Sequence, residues 1–516
     1  MQQRLSEEAL FVIPEYPPEH PGNGAIWDLV PYTRGTVLDV GGPYVKPFPQ
    51  FIKVHDSPNT DNKPDLVADC ADLSKSVHAG SVDAVFSAHM LGDIEDYRAA
   101  LASWWACVKV GGHLVLYLPH KDHYPNIGCP GANPDHKHDF EPQDIVRAMR
   151  MLRGGWDLVV QEVRTEGREY SFLQVFRKRR DDSQQFPYMA YQKPKKTACV
   201  VRYGGFGDML QAANILPALK RQGYHVTMMT TPVGQDILRH DPHIDDWFIQ
   251  DPDQVPNHWL NAFWAHVSQR FTRFINLCES VEGTLLAMPG RANHAWPFAL
   301  RHARMNDNYL EFTASLAGVP NTRDARFYAT PAEKKAARAR LLLDGLNVVW
   351  ALSGSSIHKF YPGQDVVIEQ ILQAYPACRV FLVGDAACKL LEQGWEHEPR
   401  VVCLSGELAI RDTLALAQVA GCVIGCETGV LNAVAFLPNR KVVLLSHSSV
   451  ENLTKHWINT ASLVPDAVCH PCHRLHYDRT FCPQDEATGA AVCQASIAPK
   501  EVFAAMGVFR TEESAA

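Results

Sequence analysis

The chain has 516 residues, which at ~100–200 residues per domain predicts about three compact units. Hydrophobic residues make up 46% and charged residues 21%, enough for each unit to bury a core. The formal net charge of -8 argues against a general nucleic-acid or anionic-membrane binder, and no apolar run reaches the ~20 residues of a membrane-spanning helix.

Residues 1–30 carry several prolines and read as an irregular lead-in. The start MQQRLSEEALF has acidic residues where a secretory signal needs an apolar core, so a cytoplasmic protein is expected. From Gly35 onward, apolar runs alternate with amphipathic stretches. TVLDV, SVDAVFSAHML and HLVLYLP read as strands, and DYRAALASWWACVKV as a helix that stops at Gly111-Gly112. EPQDIVRAMRMLRGG reads as a further helix, and WDLVVQEVR and YSFLQVFRKR as two strands joined by a turn. This first unit spans residues 31–180, and the polar, proline-bearing stretch 181–196 is the linker. A second α/β unit, 197–330, opens with TACVVRY, helix MLQAANILPALKRQ and strand HVTMMTT. A third, 331–516, opens with helix AEKKAARARLLLDG and continues through strands NVVWALS, RVFLVG, CVIGCE and KVVLLS. Strands alternating with helices predict α/β folding around mainly parallel sheets, as three Rossmann-like units. Most of the 14 cysteines sit singly in apolar segments, as Cys107, Cys199 and Cys422 do, and read as reduced core thiols.

The segment VVRYGGFGDMLQAANILPALK carries the most chemistry. A strand runs into Gly204-Gly205-Phe206-Gly207-Asp208 and a helix follows. Glycines permit a sharp turn and close approach to a ligand, and open α/β sheets bind ligands at this edge. Asp208 has two readings: a base for an attacking hydroxyl, or an N-terminal helix cap. The segment resembles the start of the lipopolysaccharide heptosyltransferase family of GT-B glycosyltransferases, including its leucine–proline pair at Leu216-Pro217. That resemblance implies that Asp208 is the catalytic base and that Gly205 and Gly207 form the turn at the donor. LSGSSIHKFYPGQDVVIEQI resembles a second family element, implying donor contacts from Ser353, Ser355 and Lys359, with Pro362 leading into the helix. A lysine there neutralises a departing diphosphate. CVIGCETGVLNAVAFLPNRKVVLLS resembles a third, implying that Glu427, Thr428 and Gly429 face the nucleotide phosphates. Glu427 stands where the family has Asp and Asn432 where it has His, which leaves the donor sugar open. The implied donor is a nucleotide-diphosphate sugar such as ADP-heptose. The implied acceptor is a glycan, glycolipid or glycoprotein, and a homo-oligomer is compatible with the family.

The C-terminal tail holds Cys469-His-Pro-Cys472, Cys482 and Cys493. Its irregular spacing leaves three readings: a thiolate site for Zn or Fe, reduced structural thiols, or disulfides. The tail resembles the cysteine-rich end of autotransporter heptosyltransferases, which carry a four-cysteine iron site. His470, His473 and His476 are alternative ligands or surface residues.

TVLDVGGPYVKPFPQF resembles the first motif of class I S-adenosylmethionine methyltransferases. The implied cofactor contacts are Asp39, Gly41 and Gly42, with Asp56 at the ribose, Asp69 near the adenine and Ser87 at the mouth of a strand beside His89. Pro43 replaces the family's last glycine, removing a donor and fixing φ. His120, His136 and His138 lie in a histidine-rich loop that also carries His123. They read either as acceptor-deprotonating or metal-assisting groups, or as lid residues bonding backbone.

Three functional readings follow. One chain both transfers a sugar and methylates the same glycan or its precursor; or the N-terminal module is a cofactor-free scaffold; or a modified nucleic acid is the substrate. The net charge of -8 opposes the last, while a basic strip at Arg177, Arg179, Arg180, Lys193, Lys195 and Lys196 favours it.

Overall fold

The structure is a computed structural model, and it describes residues 24–41, 46–58, 63–165, 169–181, 184–185, 196–279, 297–354, 356–473 and 482–507. Residues 1–23 of the lead-in, most of the expected linker, Gly42, Pro43, Ser355 and His476 lie outside them. The chain folds as two compact units, Met1–Lys195 with Ile249–Arg270, and Lys196–Phe248 with Phe271–Ala516.

The first unit is built on a sheet of β1 (Val37–Val40), β2 (Phe51–His55), β3 (Leu66–Val67), β4 (Val82–Ala88), β5 (Val108–Pro119), β6 (Trp156–Arg164), β7 (Ser171–Lys178) and β8 (Gln184–Gln185). Their order is β3-β2-β1-β4-β5-β7-β6-β8. β1 pairs in parallel with both β2 and β4, and β7 runs antiparallel between β5 and β6. The order reverses between β1 and β4, so the crevice for a ligand lies beyond their C-terminal ends. VLDV is buried at every position, as expected of a strand covered on both faces.

The helix expected to reach Gly111 ends at Cys107, and β5 starts at once with Val108. Val108 and Val110 are β-branched and favour the extended chain. Gly112 belongs to that strand because a Cβ there would strike the carbonyl of Asp83 on β4. The helix Pro142–Arg150 forms as expected, with the Glu141 N–H donating to Asp144 Oδ2 at 3.0 Å in a reciprocal cap.

Residues 249–270 pack on this unit. Trp27 meets Trp259 and Phe263 at ring distances of 6.2 and 5.8 Å, and Gln254 Nε2 donates to the carbonyls of Val30 and Thr33. Asp28 is the polar centre of the contact. It pairs with Arg164 and Arg270 and accepts from His266 Nε2 at 3.1 Å. Burial raises its pKa, but His266, Arg270 and Arg164 outweigh this and hold the carboxyl below its usual range. Removing one partner from a buried ionic group costs about 3–5 kcal/mol. Asp28→Ala should therefore loosen 249–270, read as a new protease-sensitive site there and faster amide exchange across the helix Leu260–Ser268.

The second unit contains two sheets. β9 (Thr197–Val201), β10 (His225–Thr230), β11 (Asp246–Ile249) and β12 (Arg273–Asn276) are ordered β11-β10-β9-β12. β13 (Leu346–Ala351), β14 (Cys378–Val383), β15 (Val401–Cys403), β16 (Cys422–Cys426), β17 (Arg440–Leu444) and β18 (Thr460–Leu463) are ordered β15-β14-β13-β16-β17-β18, with all neighbouring strands parallel. Both sheets reverse order beside their first strand, which puts the C-terminal ends of β9 and β13 at switch points. MLQAANILPALKRQ is not one helix but two, Phe206–Ala213 and Leu216–Arg221. Pro217 lacks an N–H and would clash with the carbonyl four residues back, at Ala213, where the first helix stops.

Candidate functional site

The second unit encloses a cavity of about 640 Å³, reached by elements of both its sheets. The turn after β9 contributes Gly205, Gly207 and Asp208, and the facing half contributes Ser353, Lys359, Glu427, Thr428 and Gly429. All the expected donor-site residues among the described ones thus line one space. A second cavity of about 670 Å³ on the same unit, lined by Arg326, Lys334, Arg338 and Phe436 among others, contains none of them.

Asp208 caps its helix: the Gly205 N–H donates to Oδ2 at 2.7 Å. Its other oxygen, Oδ1, pairs with Arg202 Nη2 at 3.1 Å, and Arg202 Nη1 donates to the carbonyl of Leu277. Gly204 is required beneath this carboxylate, since a Cβ would lie 2.5 Å from Oδ2. The cap and base readings of Asp208 therefore coexist in one geometry. Arg202 escaped the sequence reading, although a cation ending an otherwise apolar strand was its signal.

Across the cavity, Lys359 is buried and its Nζ donates to the carbonyl of Glu427 at 2.8 Å. Glu427 accepts from Ser446 N and Oγ at 2.7 and 2.6 Å and from the N–H groups of His447 and Ser448 at 3.1 Å each. Burial opposes its ionisation, but His447, Lys359 and these bonds hold it down at about 2. Its carboxylate organises a loop. Thr428 Oγ1 is buried without a partner among the described residues. Asn432 Nδ2 donates to the Thr428 carbonyl at 2.9 Å, and Asn432 Oδ1 accepts from Gln211 Nε2 at 3.2 Å. Gly207 and Gly429 bring the two turns together: a Cβ on Gly207 would lie 3.0 Å from Asn432 Nδ2, and one on Gly429 2.6 Å from Phe206 Cβ. Asp385, His447 and Ser448 also line the cavity and carried no local sequence signal, and His473, expected as a metal ligand or surface residue, lines it too.

The metal expected at the tail finds no support. Among the described residues no three His, Cys, Asp or Glu groups assemble as a metal cluster would. Cys469 is exposed and Cys493 buried.

In the first unit the expected cofactor residues among the described ones lie at the C-terminal ends of β1, β2, β3 and β4. Asp39 is fully buried, and neither carboxylate oxygen has a partner among the described residues. Burial, opposed by Lys53 and Lys46, pushes its pKa up to about 7. Gly41 has φ +70, and its N–H donates to Val54 O at 3.0 Å; Met90 packs over it where a Cβ would stand. Ser87 Oγ donates to Val40 O at 3.1 Å. Asp56 is exposed beside His55, and Asp69 pairs with Lys75 at 2.9 Å. His89 adopts the left-handed conformation with φ 62, stacks on Tyr117 and meets Ser171 Oγ through Nε2 at 3.0 Å.

His120, His136 and His138 line one small cleft with Tyr124 and Phe140. His138 Nε2 donates to the Glu95 carbonyl at 2.9 Å, and His120 Nδ1 accepts from the Asp122 N–H at 3.2 Å. His136 Nε2 lies 3.5 Å from Asp93 Oδ1, and burial with Asp135 nearby raises Asp93 to about 6. Two of these rings are thus engaged with backbone, and the third faces a carboxylate.

A family model described as methyltransferase domain matches residues 45–116. The comparison with curated proteins returned no match. Similar solved structures include the E. coli ADP-heptose lipopolysaccharide heptosyltransferase II, 14% identical over 62% of this chain and 100% of that chain, with a TM-score of 0.43. The iron-containing dodecameric glycosyltransferase TibC from enterotoxigenic E. coli is 16% identical over 63% and 78%, with a TM-score of 0.40. A SAM-dependent methyltransferase from Archaeoglobus fulgidus is 14% identical over 30% and 93%, with a TM-score of 0.22. The chain is an α/β protein whose residues 45–116 match a methyltransferase domain. Among the described residues no helix is long and apolar enough to cross a membrane.

Proposed function

We propose that the second unit is a glycosyltransferase of the heptosyltransferase type, inverting at the sugar carbon, with a nucleotide-diphosphate sugar such as ADP-heptose as donor. The observation that carries this reading is that Asp208 and Lys359 face one cavity from elements of two different sheets. Asp208 takes the proton of the acceptor hydroxyl as its oxygen bonds to the sugar carbon. The carbon–phosphate oxygen bond breaks, and the nucleoside diphosphate leaves with the electron pair. Lys359 supplies the countercharge for that leaving group, and Thr428 Oγ1 offers a hydroxyl to it. The acceptor is a glycan, glycolipid or glycoprotein hydroxyl. Lys359→Met should weaken ADP or UDP binding by ~10-fold or more, the scale of one charge-assisted contact. Calorimetry on the full chain measures this, and unchanged affinity would remove Lys359 from the site.

The first unit fits S-adenosylmethionine through Asp39, Gly41, Asp56, Asp69 and Ser87, and methylates the same glycan or its precursor. The cofactor supplies an electrophilic methyl group when bound. The unpartnered carboxylate of Asp39 supports cofactor binding. His136, turned toward Asp93, is the acceptor-deprotonating group of choice among the loop histidines. A second reading keeps this module as a scaffold, and Met90 lying over Gly41 favours it. Titration with S-adenosylmethionine separates the two.

A further inference from the structure

The cysteine-bearing tail meets the wall of the 640 Å³ cavity that Asp208 and Lys359 line. Beyond β17 the chain turns through Leu445–Ser448, and His447 and Ser448 line the cavity. The N–H groups of Ser446, His447 and Ser448 all point to Glu427. Three carbonyls of the same stretch are taken by the tail. His470 Nε2 donates to Ser448 O at 2.9 Å, the His473 N–H to His447 O at 3.0 Å, and Gln494 Nε2 to Leu445 O at 3.1 Å. Each of these donors is the residue directly after a cysteine: Cys469, Cys472 and Cys493. His473 reaches its partner with a left-handed backbone, φ 49, and its ring lines the cavity. Burial first, then Cys472, Cys482, Glu427 and Cys469, pushes the Cys493 thiol up to about 12.

We infer that the cysteine-bearing tail is a wall-holding element of the nucleotide-sugar cavity, with His470, His473 and Gln494 as positioning residues that clamp Leu445–Ser448 against Glu427 and so set nucleotide affinity. The physical ground is pre-organisation. A loop bonded on one side through its N–H groups and on the other through its carbonyls keeps few conformations, so a ligand pays little ordering entropy on binding. The affinity part rests on the sugar-transfer reading, whereas the clamp itself does not.

The test uses the full chain with ADP and UDP as probes. His470→Leu and Gln494→Met each remove one donor while filling the space, and His470→Gln retains an N–H of similar reach. Both donor-less variants should raise the Kd for whichever nucleotide the wild type binds by ~10-fold, and His470→Gln should recover most of it. In turnover, donor KM should rise while kcat moves little, a split that general destabilisation does not produce. Amide exchange at Ser446, His447 and Ser448 should accelerate by ~10-fold while β13 keeps its protection. Unchanged exchange and unchanged affinity in folded His470→Leu would overturn the inference. If the wild type binds neither nucleotide, the sugar-transfer reading fails, and the exchange result alone decides the clamp. Should Gln494→Met not fold, His470→Leu, at a half-buried position, carries the test.

Discussion

Asp208→Asn is expected to cut sugar transfer by ~100-fold or more, the usual scale of losing a general base, while ADP or UDP still binds nearly as well. Asparagine keeps an oxygen for the Gly205 N–H, so the first turn of the helix Phe206–Ala213 retains its cap. What it loses is the charge opposite Arg202 and the capacity to take a proton. The measured quantities are turnover with a nucleotide sugar and acceptor, and nucleotide affinity by calorimetry. Loss of turnover at constant affinity is the signature of a group needed in the transition state. Turnover equal to the wild type would leave Asp208 as a helix cap held by Arg202. Gly204 gives an independent handle: Gly204→Ala places a methyl against Oδ2 without touching the carboxylate's chemistry, and it should lower turnover in the same direction.

Asp39→Asn should make the protein more stable above neutral pH and bind S-adenosylmethionine less well. The wild-type carboxyl has a folded pKa of about 7 against an ordinary value of 3.8, mainly because it is buried. Between those values the folded state keeps a proton that the unfolded state has lost. Stability therefore falls as pH rises from ~4 to ~7 and stays at its lower level above. A shift of that size corresponds to on the order of 4 kcal/mol. Asparagine does not titrate, so variant and wild type should match near pH 4 and separate above it, with a gain of roughly 5–10 °C in Tm at pH 8. Thermal melts across pH 4–8 measure the separation, and parallel curves would mean that the carboxyl is not buried uncompensated. A buried carboxylate without partners is costly, which is why such groups concentrate at binding sites. Calorimetry with S-adenosylmethionine in the micromolar range completes the experiment. No heat in a protein that still binds its nucleotide diphosphate would favour the scaffold reading.

Much of this molecule is written in local chemistry. Apolar runs such as VLDV, TACVV and CVIGC are buried along their whole length, so their reading as interior strands needs no knowledge of their neighbours. The Gly204–Asp208 turn was visible because glycine and an N-terminal carboxylate act within four residues of one another, and the same holds for Asp39 and Gly41 after β1. Boundaries were less legible. The helix ending at Cys107 and the break before Pro217 depend on how the next element pairs and on one ring's clash with a preceding carbonyl.

What the sequence determined by itself is the alternating α/β order, the three glycine-containing turns at strand ends, and the residue types that bring charge to them. Only the tertiary structure decided their employment. Glu427 and Ser446 are 19 residues apart, Gln211 and Asn432 221, and no local pattern connects them. Arg202 becomes the partner of Asp208, Glu427 an organiser of a loop, residues 249–270 a part of the first unit, and the cysteine neighbours anchors of a cavity wall. The reason is physical: hydrophobic periodicity and turn chemistry act over a few residues, whereas a buried polar group takes whichever donor or acceptor packing brings to it.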